Sequence, residues 1–400
     1  MKLLHTADWH AGRTLKGQDR TPELREALGE IAELAREQAV DLVLVPGDVY
    51  DKKTPSAEAE AAVYDFFLAL SEAGIPSVVI AGNHDAPGRL DAVSGMFDLA
   101  GTRVLGEAKV AGQGGAFELH VGGETAQIAA LPFVSERRIV RYGDLLGSDP
   151  GAWSEKYQAG MRRLITNLCE PFRDDSVNLL LLHTAMEGAT LANSEYTFHC
   201  TSSYTLSADT LPEQVNYVAL GHIHKPQSVS GFPDNAARYS GSLLQLDFGE
   251  AGDAKYAYVV EARAGRPTEL LVAHEVQAGK KLKHLKIDAS TAAGLDELDR
   301  KLLEVQDFPG WLKLSLRVDR PRPGLKDRIK TQLPQVLSVE FLYPEREQTR
   351  ETVDVDKLDL TSAYRDFYAA QRGSELKDDL RDAFRALLEE QSDADTGQAA

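Results

Sequence analysis

Gly82-Asn83-His84-Asp85 is the stretch that decides how this chain of 400 residues folds, because four other polar pieces stand around it in a fixed order. The others are Asp8-Trp9-His10, Gly47-Asp48, His183 and Gly221-His222-Ile223-His224. Each piece follows an apolar run, mostly of β-branched residues or leucine, which is typical of a buried strand. Open sheets collect ligands beyond their strand ends. The sequence therefore predicts that the five pieces meet at one site.

The surrounding pattern predicts an α/β fold. Up to about residue 76, strand runs alternate with apolar stripes at helical spacing, one of which is Leu24, Leu28, Ile31 and Leu34. Such alternation is typical of βαβ units, in which helices pack on a sheet. From Val104 to Leu131, short runs and Gly-rich turns predict an antiparallel meander added to the sheet.

Length and composition limit the class of protein. A chain of 400 residues predicts two or three domains. We expect neither a signal segment nor a membrane helix, because no apolar run approaches the roughly 20 residues that a spanning helix needs. The two cysteines, Cys169 and Cys200, form no CxxC pair and no disulfide framework. A reduced, cytoplasmic compartment is therefore expected.

Charge is distributed unevenly along the chain. The net charge is −18, which argues against broad non-specific binding of nucleic acid, since phosphate neutralisation needs a basic surface. Residues 280–330 nevertheless hold 13 basic and 8 acidic side chains, whereas residues 351–400 hold 6 basic and 13 acidic ones. Any contact with DNA is therefore expected to be local, at a metal cluster or along a basic stripe.

Breaks in the pattern predict the domain boundaries. Residues 1–275 are expected to form a first domain, and residues 280–342, which are basic and βαβαβ-like, a small second one. Residues 343–356 are polar and contain a proline, which is typical of a linker. Residues 357–391 have the pattern of two amphipathic helices, and residues 392–400 are expected to be a disordered tail.

The polar pieces supply seven candidate metal ligands: Asp8, His10, Asp48, Asn83, His183, His222 and His224. Seven ligands are too many for one tetrahedral ion and suit two ions that share a bridge. Asp48 is the expected bridge, and Gly47 before it allows a sharp turn. His222 and His224 would face the same side of an extended strand, so a bend permitted by Gly221 is expected. The mixed ligand types favour two Mn²⁺ ions over Mg²⁺ or Ca²⁺, with iron or zinc left open.

Two such ions support phosphoester hydrolysis. At about 3.5–4 Å apart they activate a water molecule as a hydroxide nucleophile and hold the phosphate oxygens. His84, next to a ligand but not counted as one, is the candidate proton donor to the leaving oxygen. Asp85 is the candidate residue that orients His84. Four basic residues that flank the ligand pieces are candidate phosphate contacts: Arg13, Lys16, Lys52 and Lys53.

The order Asp-x-His, Gly-Asp, Gly-Asn-His-Asp, His, Gly-His-x-His resembles that of the calcineurin-like metallophosphoesterases. Three longer strings are similar to those of the SbcD family, the nuclease subunits of bacterial SbcCD complexes: Leu4-His5-Thr6-Ala7-Asp8-Trp9-His10, Pro46-Gly47-Asp48-Val49-Tyr50-Asp51 and Ala81-Gly82-Asn83-His84-Asp85. The resemblance covers nearly the whole chain. It implies a two-sheet metallophosphoesterase core with helices on the outside, a small capping domain that binds DNA, and a C-terminal helix pair.

The resemblance also implies a function. This is a manganese-dependent 3'-to-5' exonuclease on double-stranded DNA that is also an endonuclease on single strands and hairpins, acting in end processing, repair and recombination. By the family pattern, one ion is held by Asp8, His10, Asp48 and His224, and the other by Asp48, Asn83, His183 and His222. His84 is the implied catalytic histidine. Archaeal and eukaryotic relatives carry a histidine where this chain has Asp51, so the role of that histidine is not transferred.

The resemblance implies partners as well. These are the coiled-coil ATPase SbcC and a second copy of the chain, joined through helices of the first domain, at a cytoplasmic location on the nucleoid when DNA is bound. An amphipathic helix pair beyond a linker must bury its apolar face on something, either SbcC or its own domain. The apolar residues of the pair are Tyr364, Phe367, Tyr368, Leu376, Leu380, Phe384, Leu387 and Leu388.

Three functions are open at this point. The first is a DNA phosphodiesterase. The second is a phosphatase or small-substrate phosphodiesterase on the same scaffold, which needs neither a basic second domain nor docking helices. The third is a non-enzymatic scaffold that tethers DNA ends, which needs no complete set of metal ligands. The sequence therefore favours the first.

Overall fold

The structure, a computed structural model, describes residues 1–135, 150–192, 194 and 205–343 together with scattered positions between 362 and 384. The chain forms two compact units, Met1–Tyr343 and Pro344–Ala400. All seven predicted metal ligands lie in the first unit. Among the described helices, none is long and apolar enough to cross a membrane.

Strands and helices alternate through most of the first unit. Its strands are β1 (Lys2–His5), β2 (Thr14–Leu15), β3 (Gln18–Asp19), β4 (Leu42–Pro46), β5 (Ser77–Ile80), β6 (Thr102–Leu105), β7 (Ala116–Val121), β8 (Glu124–Leu131), β9 (Val177–His183), β10 (Tyr217–Gly221), β11 (Gln227–Ser228), β12 (Ala237–Tyr239), β13 (Tyr256–Glu261), β14 (Glu269–Glu275), β15 (Leu282–Asp288), β16 (Trp311–Arg317) and β17 (Val336–Leu342). Its described helices are α1 (Thr21–Glu37), α2 (Ala57–Glu72), α3 (Pro87–Leu99), α4 (Pro150–Cys169), α5 (Ala292–Glu304) and α6 (Leu325–Gln332).

Two six-stranded sheets form the core of the first unit. The first sheet has the order β14-β13-β1-β4-β5-β6, in which β1, β4, β5 and β6 run parallel. The second has the order β11-β12-β10-β9-β8-β7, in which β12, β10, β9 and β8 run parallel. Parallel strands end at a common edge of their sheet. The loops that follow β1, β4 and β5 therefore emerge together, and so do those that follow β9 and β10.

The long apolar runs arise because both faces of each sheet are buried. In β4, Leu42 and Leu44 pack between the sheets, whereas Val43 and Val45 pack under the outer helices. The strands β9 and β10 alternate in the same way between the first sheet and α4. Each fully buried leucine stabilises the fold by about 1.5–3 kcal/mol. The two-sheet core with outer helices that the family resemblance implied is confirmed.

Helices α1, α2 and α3 cover the first sheet, and α4 covers the second. The α1 stripe predicted from the sequence is buried. Helix α2 begins after Ser56, whose Oγ accepts a hydrogen bond from the Ala59 N–H at 3.3 Å. Helix α4 buries Met161, Ile165 and Leu168 against β8 and β9. The result is a layered arrangement of helices, sheet, sheet and helix.

The meander predicted between Val104 and Leu131 is wrong except for one hairpin. Strands β7 and β8 pair antiparallel through a turn at Gly122 and Gly123. Strand β6, however, runs parallel to β5 in the first sheet, and β8 runs parallel to β9 in the second. This stretch joins the two sheets, because β6 ends one of them and β7 forms an edge of the other.

A third sheet lies in the same unit, in the order β15-β16-β17 with all strands parallel. Helices α5 and α6 bury one face of it around Leu298, Leu314 and Ile329. The βαβαβ pattern predicted from the sequence is therefore present. The boundary predicted between residues 275 and 280 stays a prediction, since the compact unit extends to Tyr343.

The second unit is described only at scattered positions. Residues 362–365, 368, 378 and 380–384 are helical, whereas Leu376, which the sequence pattern places in the second helix of the pair, is not. The prediction that Leu376 is helical is therefore wrong, and the helix that contains Leu380 begins after it. The predicted linker, from residue 344 onward, and the predicted tail lie outside the described residues.

Candidate metal centre

The predicted ligands converge where the loops after β1, β4, β5, β9 and β10 meet. On one side, Nε2 of His10 lies 3.1 Å from Nε2 of His224 and 3.6 Å from Oδ2 of Asp48. Asp8 lies between this group and the second one, since its Oδ1 accepts a hydrogen bond from the His222 N–H at 2.8 Å and lies 4.0 Å from Nδ1 of His183. The side chains of Asp8, His10, Asp48 and His224 are all buried.

On the other side, Oδ1 of Asn83 lies 3.0 Å from Nε2 of His183 and 2.9 Å from Nδ1 of His222. Nε2 of His183 lies 3.4 Å from Oδ2 of Asp48. The same Asp48 oxygen therefore faces His183 on this side and His10 on the other. This is the position that a bridging carboxylate requires.

Glycines make room for this convergence. A Cβ on Gly82 would lie 2.1 Å from Oδ1 of Asp48, and a Cβ on Gly47 would lie 2.3 Å from Nδ1 of His183. A Cβ on Gly221 would lie 2.0 Å from the Pro46 carbonyl oxygen. The two sheets can therefore bring their strand ends together only where these side chains are absent.

The backbone of the ligand loops is strained. Asp8, His10, Asp48 and His222 all have positive φ values, of 53°, 49°, 52° and 98°. Residues other than glycine rarely adopt this conformation, and such strain clusters at functional sites. The bend expected at Gly221 occurs instead at His222, since Gly221 does not have a positive φ. Gly221 is required for space rather than for its conformational freedom.

Trp9 anchors the first ligand loop. Its ring packs in the core against Phe66 and Phe67 of α2, with centroids 5.0 and 5.7 Å away. Its Nε1–H donates to Oγ1 of Thr6 at 3.0 Å. Because Trp9 faces the core, the residues on either side of it, Asp8 and His10, turn toward the centre.

The donor atoms fit divalent cations. Among the residues that the structure describes, the buried Oδ2 of Asp8 has no hydrogen-bond donor. Burial raises the pKa of Asp8 to about 7, although His183 and His224 oppose the shift. A buried carboxylate oxygen without a donor is costly in a protein interior. A cation beside Asp8 removes that cost, and carboxylate, imidazole and amide groups are all suitable ligands for it.

Asp48 and His183 form a strongly coupled pair. Burial opposes charge on both groups, but their mutual attraction outweighs it. The pKa of Asp48 is therefore well below its ordinary value, and the pKa of His183 is raised to about 9. The Nδ1–H of His183 donates to the Pro46 carbonyl at 2.8 Å. His183 consequently presents its other nitrogen, Nε2, to the cluster.

His84 lies at the edge of the cluster and is half-buried. It presents a ring nitrogen within 4.8 Å of ligand atoms of His10 and Asp48, and its ring packs edge-on against His10 at 4.7 Å. Its Nδ1 lies 3.0 Å from the carbonyl oxygen of Asp51, to which it can donate a hydrogen bond. His84 therefore lies at the rim of the space between the candidate ligands, where its ring stays partly exposed.

The orienting role predicted for Asp85 is corrected by the structure. Its carboxylate accepts hydrogen bonds from the N–H groups of Gly82 (2.8 Å), Tyr50 (2.9 Å) and Val49 (3.3 Å). Burial, followed by repulsion from Asp48, raises its pKa to about 6. Asp85 therefore holds two ligand loops together, and the Asp51 carbonyl is the group that faces His84.

Several residues around the ligands were not predicted from the sequence. Glu250 and Lys255 are fully buried beside His224, and Ser194 reaches the same histidine. Phe133 stacks on His222 with centroids 6.2 Å apart and an interplanar angle of 28°. None of these residues belongs to a motif, and only long-range folding brings them to the site.

The candidate phosphate contacts divide into two groups. Lys16, Lys52 and Lys53 are exposed, so their ammonium groups are available to an anion. Arg13 is different, because its Nη1 donates to Oδ1 of Asp51 at 2.9 Å and its side chain is only 28% exposed. The guanidinium of Arg13 is therefore committed to Asp51 rather than extended into solvent.

The candidate docking residues are described only in part. In the second unit the rings of Tyr364 and Phe384 stack with centroids 4.2 Å apart, and Tyr368 lies 6.3 Å from Tyr364. Leu380 is 41% exposed, and Leu376 is half-buried. The other three docking candidates, Phe367, Leu387 and Leu388, lie outside the described residues.

Residues 1–226 match the calcineurin-like phosphoesterase family. This span is more than half of the chain and contains all seven candidate ligands. The chain therefore belongs to the calcineurin-like phosphoesterases, which makes it a metal-dependent phosphodiesterase that uses divalent cations.

Relatives place the chain more narrowly within that family. The SbcD subunit of the SbcCD nuclease of Bacillus subtilis (strain 168) is 32% identical over 386 residues, 95% of this chain and 95% of the relative. The SbcD subunit from Rhodobacter capsulatus is 30% identical over 342 residues, 80% of this chain and 81% of the relative. The one from Escherichia coli (strain K12) is 27% identical over 355 residues, with coverages of 86% and 85%. The SbcD resemblance predicted from the motifs is confirmed.

Proposed function

We propose that the chain is the nuclease subunit of an SbcCD-type complex. It hydrolyses phosphodiester bonds of DNA with two divalent cations, of which Mn²⁺ is the favoured ion. It is a 3'-to-5' exonuclease on duplex ends and an endonuclease on single strands and hairpins, and it processes DNA ends in the cytoplasm, on the nucleoid. The single observation that carries the proposal is the convergence of seven ligand side chains from five loops, with Oδ2 of Asp48 facing both groups.

Each cation has its own set of residues. One is held by Asp8, His10, Asp48 and His224, and the other by Asp48, Asn83, His183 and His222. When bound, the pair supplies a water nucleophile at neutral pH and neutralises charge that develops on the phosphoryl group. The donor-free Oδ2 of Asp8 supports cation binding at the cluster, and the Asp48 oxygen that lies near both His10 and His183 supports a shared ligand.

His84 is the proposed proton donor to the leaving oxygen. Its Nδ1 faces the Asp51 carbonyl at 3.0 Å, so that nitrogen keeps its proton and Nε2 is the nitrogen available to a substrate. Contact with the His10 ring holds the imidazole in place. A proton carried on Nε2 can then pass to the departing sugar oxygen.

The third sheet supports a DNA substrate. Alternation along β15 and β16 places His284, Lys286, Lys313 and Arg317 on the face opposite α5 and α6. One part of this face is covered, since Leu282 and Trp311 pack with Leu15 and Phe248, and Lys313 pairs with Glu340 at 2.9 Å. The exposed part carries Lys286 and Arg317. Together with the exposed Lys16, Lys52 and Lys53, it suits contact with phosphates along a duplex.

The second unit is the proposed docking element for SbcC. None of its described residues is fully buried within the chain, although Tyr364 and Phe384 stack on each other. An amphipathic helix pair with half-exposed apolar side chains suits binding to a coiled coil.

Homodimerisation is proposed through α2 and α3. Leu68 and Met96 are 54% and 74% exposed and line an apolar groove together with Phe67 and Val93. Leu99, on α3 as well, is 91% exposed. Contiguous exposed apolar residues on two neighbouring helices are typical of a protein interface. A second copy of the chain suits this surface, because it would present the same apolar groove.

The proposal is tested by comparing three substrates with purified protein and Mn²⁺: end-labelled linear duplex DNA, a DNA hairpin and a phosphate monoester such as p-nitrophenyl phosphate. We expect cleavage of both DNA substrates, little hydrolysis of the monoester, and loss of activity with a chelator. His183→Ala should abolish cleavage, whereas His120→Ala, a change at an exposed histidine on β7, should not. Hydrolysis of the monoester alone would favour the phosphatase alternative, and no hydrolysis of any substrate would favour the tethering scaffold.

A further inference from the structure

We propose that Asp51 and Glu250 are positioning residues behind His10 and His224, and that they make one cation site of the cluster stronger than the other. This inference rests on the proposed function, since it assumes that the cluster holds two cations. It concerns the ring nitrogens that point away from the cluster. Neither carboxylate is among the seven candidate ligands.

Asp51 lies behind His10. Nε2 of His10 faces Asp48 and His224, so Nδ1 is its rear nitrogen. Oδ1 of Asp51 lies 3.6 Å from Nδ1, slightly beyond hydrogen-bond length, and among the described residues this buried nitrogen has no hydrogen-bond partner. Arg13 fixes the carboxylate from the other side through a hydrogen bond of 2.9 Å. The Asp51 N–H also donates to the Ala11 carbonyl at 3.0 Å. Asp51 is therefore held in place by both its side chain and its backbone.

Glu250 occupies the corresponding position behind His224. Nδ1 of His224 lies 2.5 Å from Oγ of Ser194 and 3.6 Å from Oε1 of Glu250, and Ser194 also donates to Glu250. Lys255 holds the other carboxylate oxygen at 2.6 Å and donates to the His224 carbonyl at 3.0 Å. Glu250 and Lys255 are 0% and 1% exposed, so this pair is fully sheltered from water.

The other cation site is built differently. The rear nitrogen of His183, Nδ1, faces the neutral carbonyl of Pro46 at 2.8 Å. Apart from the shared Asp48, the oxygen ligand of this second site is the neutral amide of Asn83. The first site has the Asp8 carboxylate instead. The first site therefore has two carboxylate ligands with carboxylates behind both of its histidines, whereas the second has one carboxylate ligand and a neutral carbonyl behind His183.

This asymmetry has a direct consequence for cation binding. A carboxylate behind a ligating imidazole fixes its tautomer and increases its basicity, and loss of such a partner weakens metal binding about 10- to 100-fold. Greater negative charge among the ligands also strengthens binding of a divalent cation. We infer that the site of Asp8, His10, Asp48 and His224 fills first and that the site of Asn83 exchanges its ion more readily.

The test measures Mn²⁺ binding by calorimetric titration, with free Mn²⁺ followed by electron paramagnetic resonance. Wild type should bind two ions with separable affinities. Asp51→Asn should weaken one of them about 10- to 100-fold and leave the other unchanged. In an Asn83→Ala background, which damages the weaker site, Asp51→Asn should weaken the ion that remains. The double variant Glu250→Gln/Lys255→Met should act on the same ion without leaving a buried ammonium unpaired.

Asp91→Asn is the matched control, because this carboxylate accepts hydrogen bonds from Gly106 and Glu107 N–H groups away from the cluster. It should bind both ions like wild type. Wild-type binding in the Asp51 and Glu250 variants, or equal weakening of both ions, would overturn the inference. A wild type that binds two Mn²⁺ as expected but cleaves no DNA would instead refute only the proposed function.

Discussion

Individual residues at the candidate metal centre differ in what they contact, and these contacts indicate different roles. Asp48 faces both ligand groups with one oxygen, whereas Asp85 holds loops through three backbone N–H groups. His84 packs on His10 but has its Nδ1 at the Asp51 carbonyl. A change at His84 is therefore expected to affect chemistry with little effect on cation binding.

His84→Ala should reduce DNA cleavage by about 10²- to 10⁴-fold, the usual contribution of a general acid. Mn²⁺ and DNA binding should stay close to those of wild type, because the seven proposed ligands are unchanged. Cleavage rates on labelled duplex, measured beside a Mn²⁺ titration and a DNA-binding assay, check this. Retained cleavage would assign the proton donor to another group.

His5 provides a prediction on pH. It is fully buried between the sheets, with Nδ1 at 2.9 Å from the Tyr217 hydroxyl, and burial lowers its pKa to about 3. The folded protein thus resists protonation of His5, while the unfolded chain accepts a proton below about pH 6.5. The stability that His5 contributes is therefore fully present above about pH 6.5 and is lost as the pH falls toward 3.

The free energy of unfolding of metal-free protein should consequently fall between pH 7 and pH 5, with up to about 2 kcal/mol of the fall due to His5. In His5→Gln this part of the pH dependence should disappear, whatever the absolute stability of the variant. Urea denaturation at both pH values measures it. An equal pH dependence in wild type and variant would show that His5 does not contribute.

At the level of elements, the strand ends determine the site. β4 and β10 belong to different sheets, yet Gly221 at the end of β10 lies against the Pro46 carbonyl at the end of β4. The approach is so close that no side chain fits at Gly221. Helix α1, by contrast, carries Gly29 on an exposed turn where a Cβ would meet nothing within 4 Å.

Gly221→Ala should therefore destabilise the protein by about 1–3 kcal/mol, the usual cost of overpacking, and weaken Mn²⁺ binding by moving β10 away from β4. Gly29→Ala is the control and should stabilise the protein by about 0.5–1 kcal/mol, because alanine is the better helix former. Urea denaturation and Mn²⁺ titration of both variants check this. Wild-type behaviour of Gly221→Ala would contradict the close approach of the sheets.

At the level of the whole molecule, the candidate metal centre and the proposed assembly regions consist of different residues. The candidate metal centre lies at the strand ends, whereas the apolar groove lies on the outer helices α2 and α3. The candidate docking residues belong to a separate compact unit. Assembly can therefore be disturbed without touching the ligands.

Leu68→Glu combined with Met96→Glu should convert a dimer into a monomer, because two charges would have to be buried in the proposed interface. Sedimentation equilibrium of wild type and variant measures this. Leu271→Glu is the control, since Leu271 is 41% exposed on β14, outside the groove. A monomeric wild type, or a variant that stays dimeric, would refute the proposed interface.

Deletion of residues 357–400 should leave cleavage of simple DNA substrates unchanged, because all seven proposed ligands lie in the first unit. It should abolish binding to an SbcC-type ATPase. Co-purification of tagged SbcC with the full chain and with the truncated chain tests this. Co-purification of SbcC with the truncated chain would show that residues 357–400 are not required for SbcC binding.

Local pattern was sufficient to predict most of the strands and the outer helices. Apolar runs in β4, β9 and β10 could be recognised because both faces of each sheet are buried, which leaves a continuous signal in the sequence. The prediction of a meander was wrong because short Gly-rich runs do not indicate which sheet each strand joins. Strand partners are a long-range property, and turn residues do not encode them.

The sequence by itself determined that strands and helices alternate in an α/β pattern and which seven side chains are candidate ligands, because apolar runs and the short motifs that follow them are local features. Only the tertiary structure decided that Asp85 holds backbone, that Asp51 faces His84 and His10, and that Glu250 stands behind His224. The physical reason is distance along the chain. Hydrogen bonds between side chains far apart in sequence leave no periodic trace, and they exist only once the two sheets have packed.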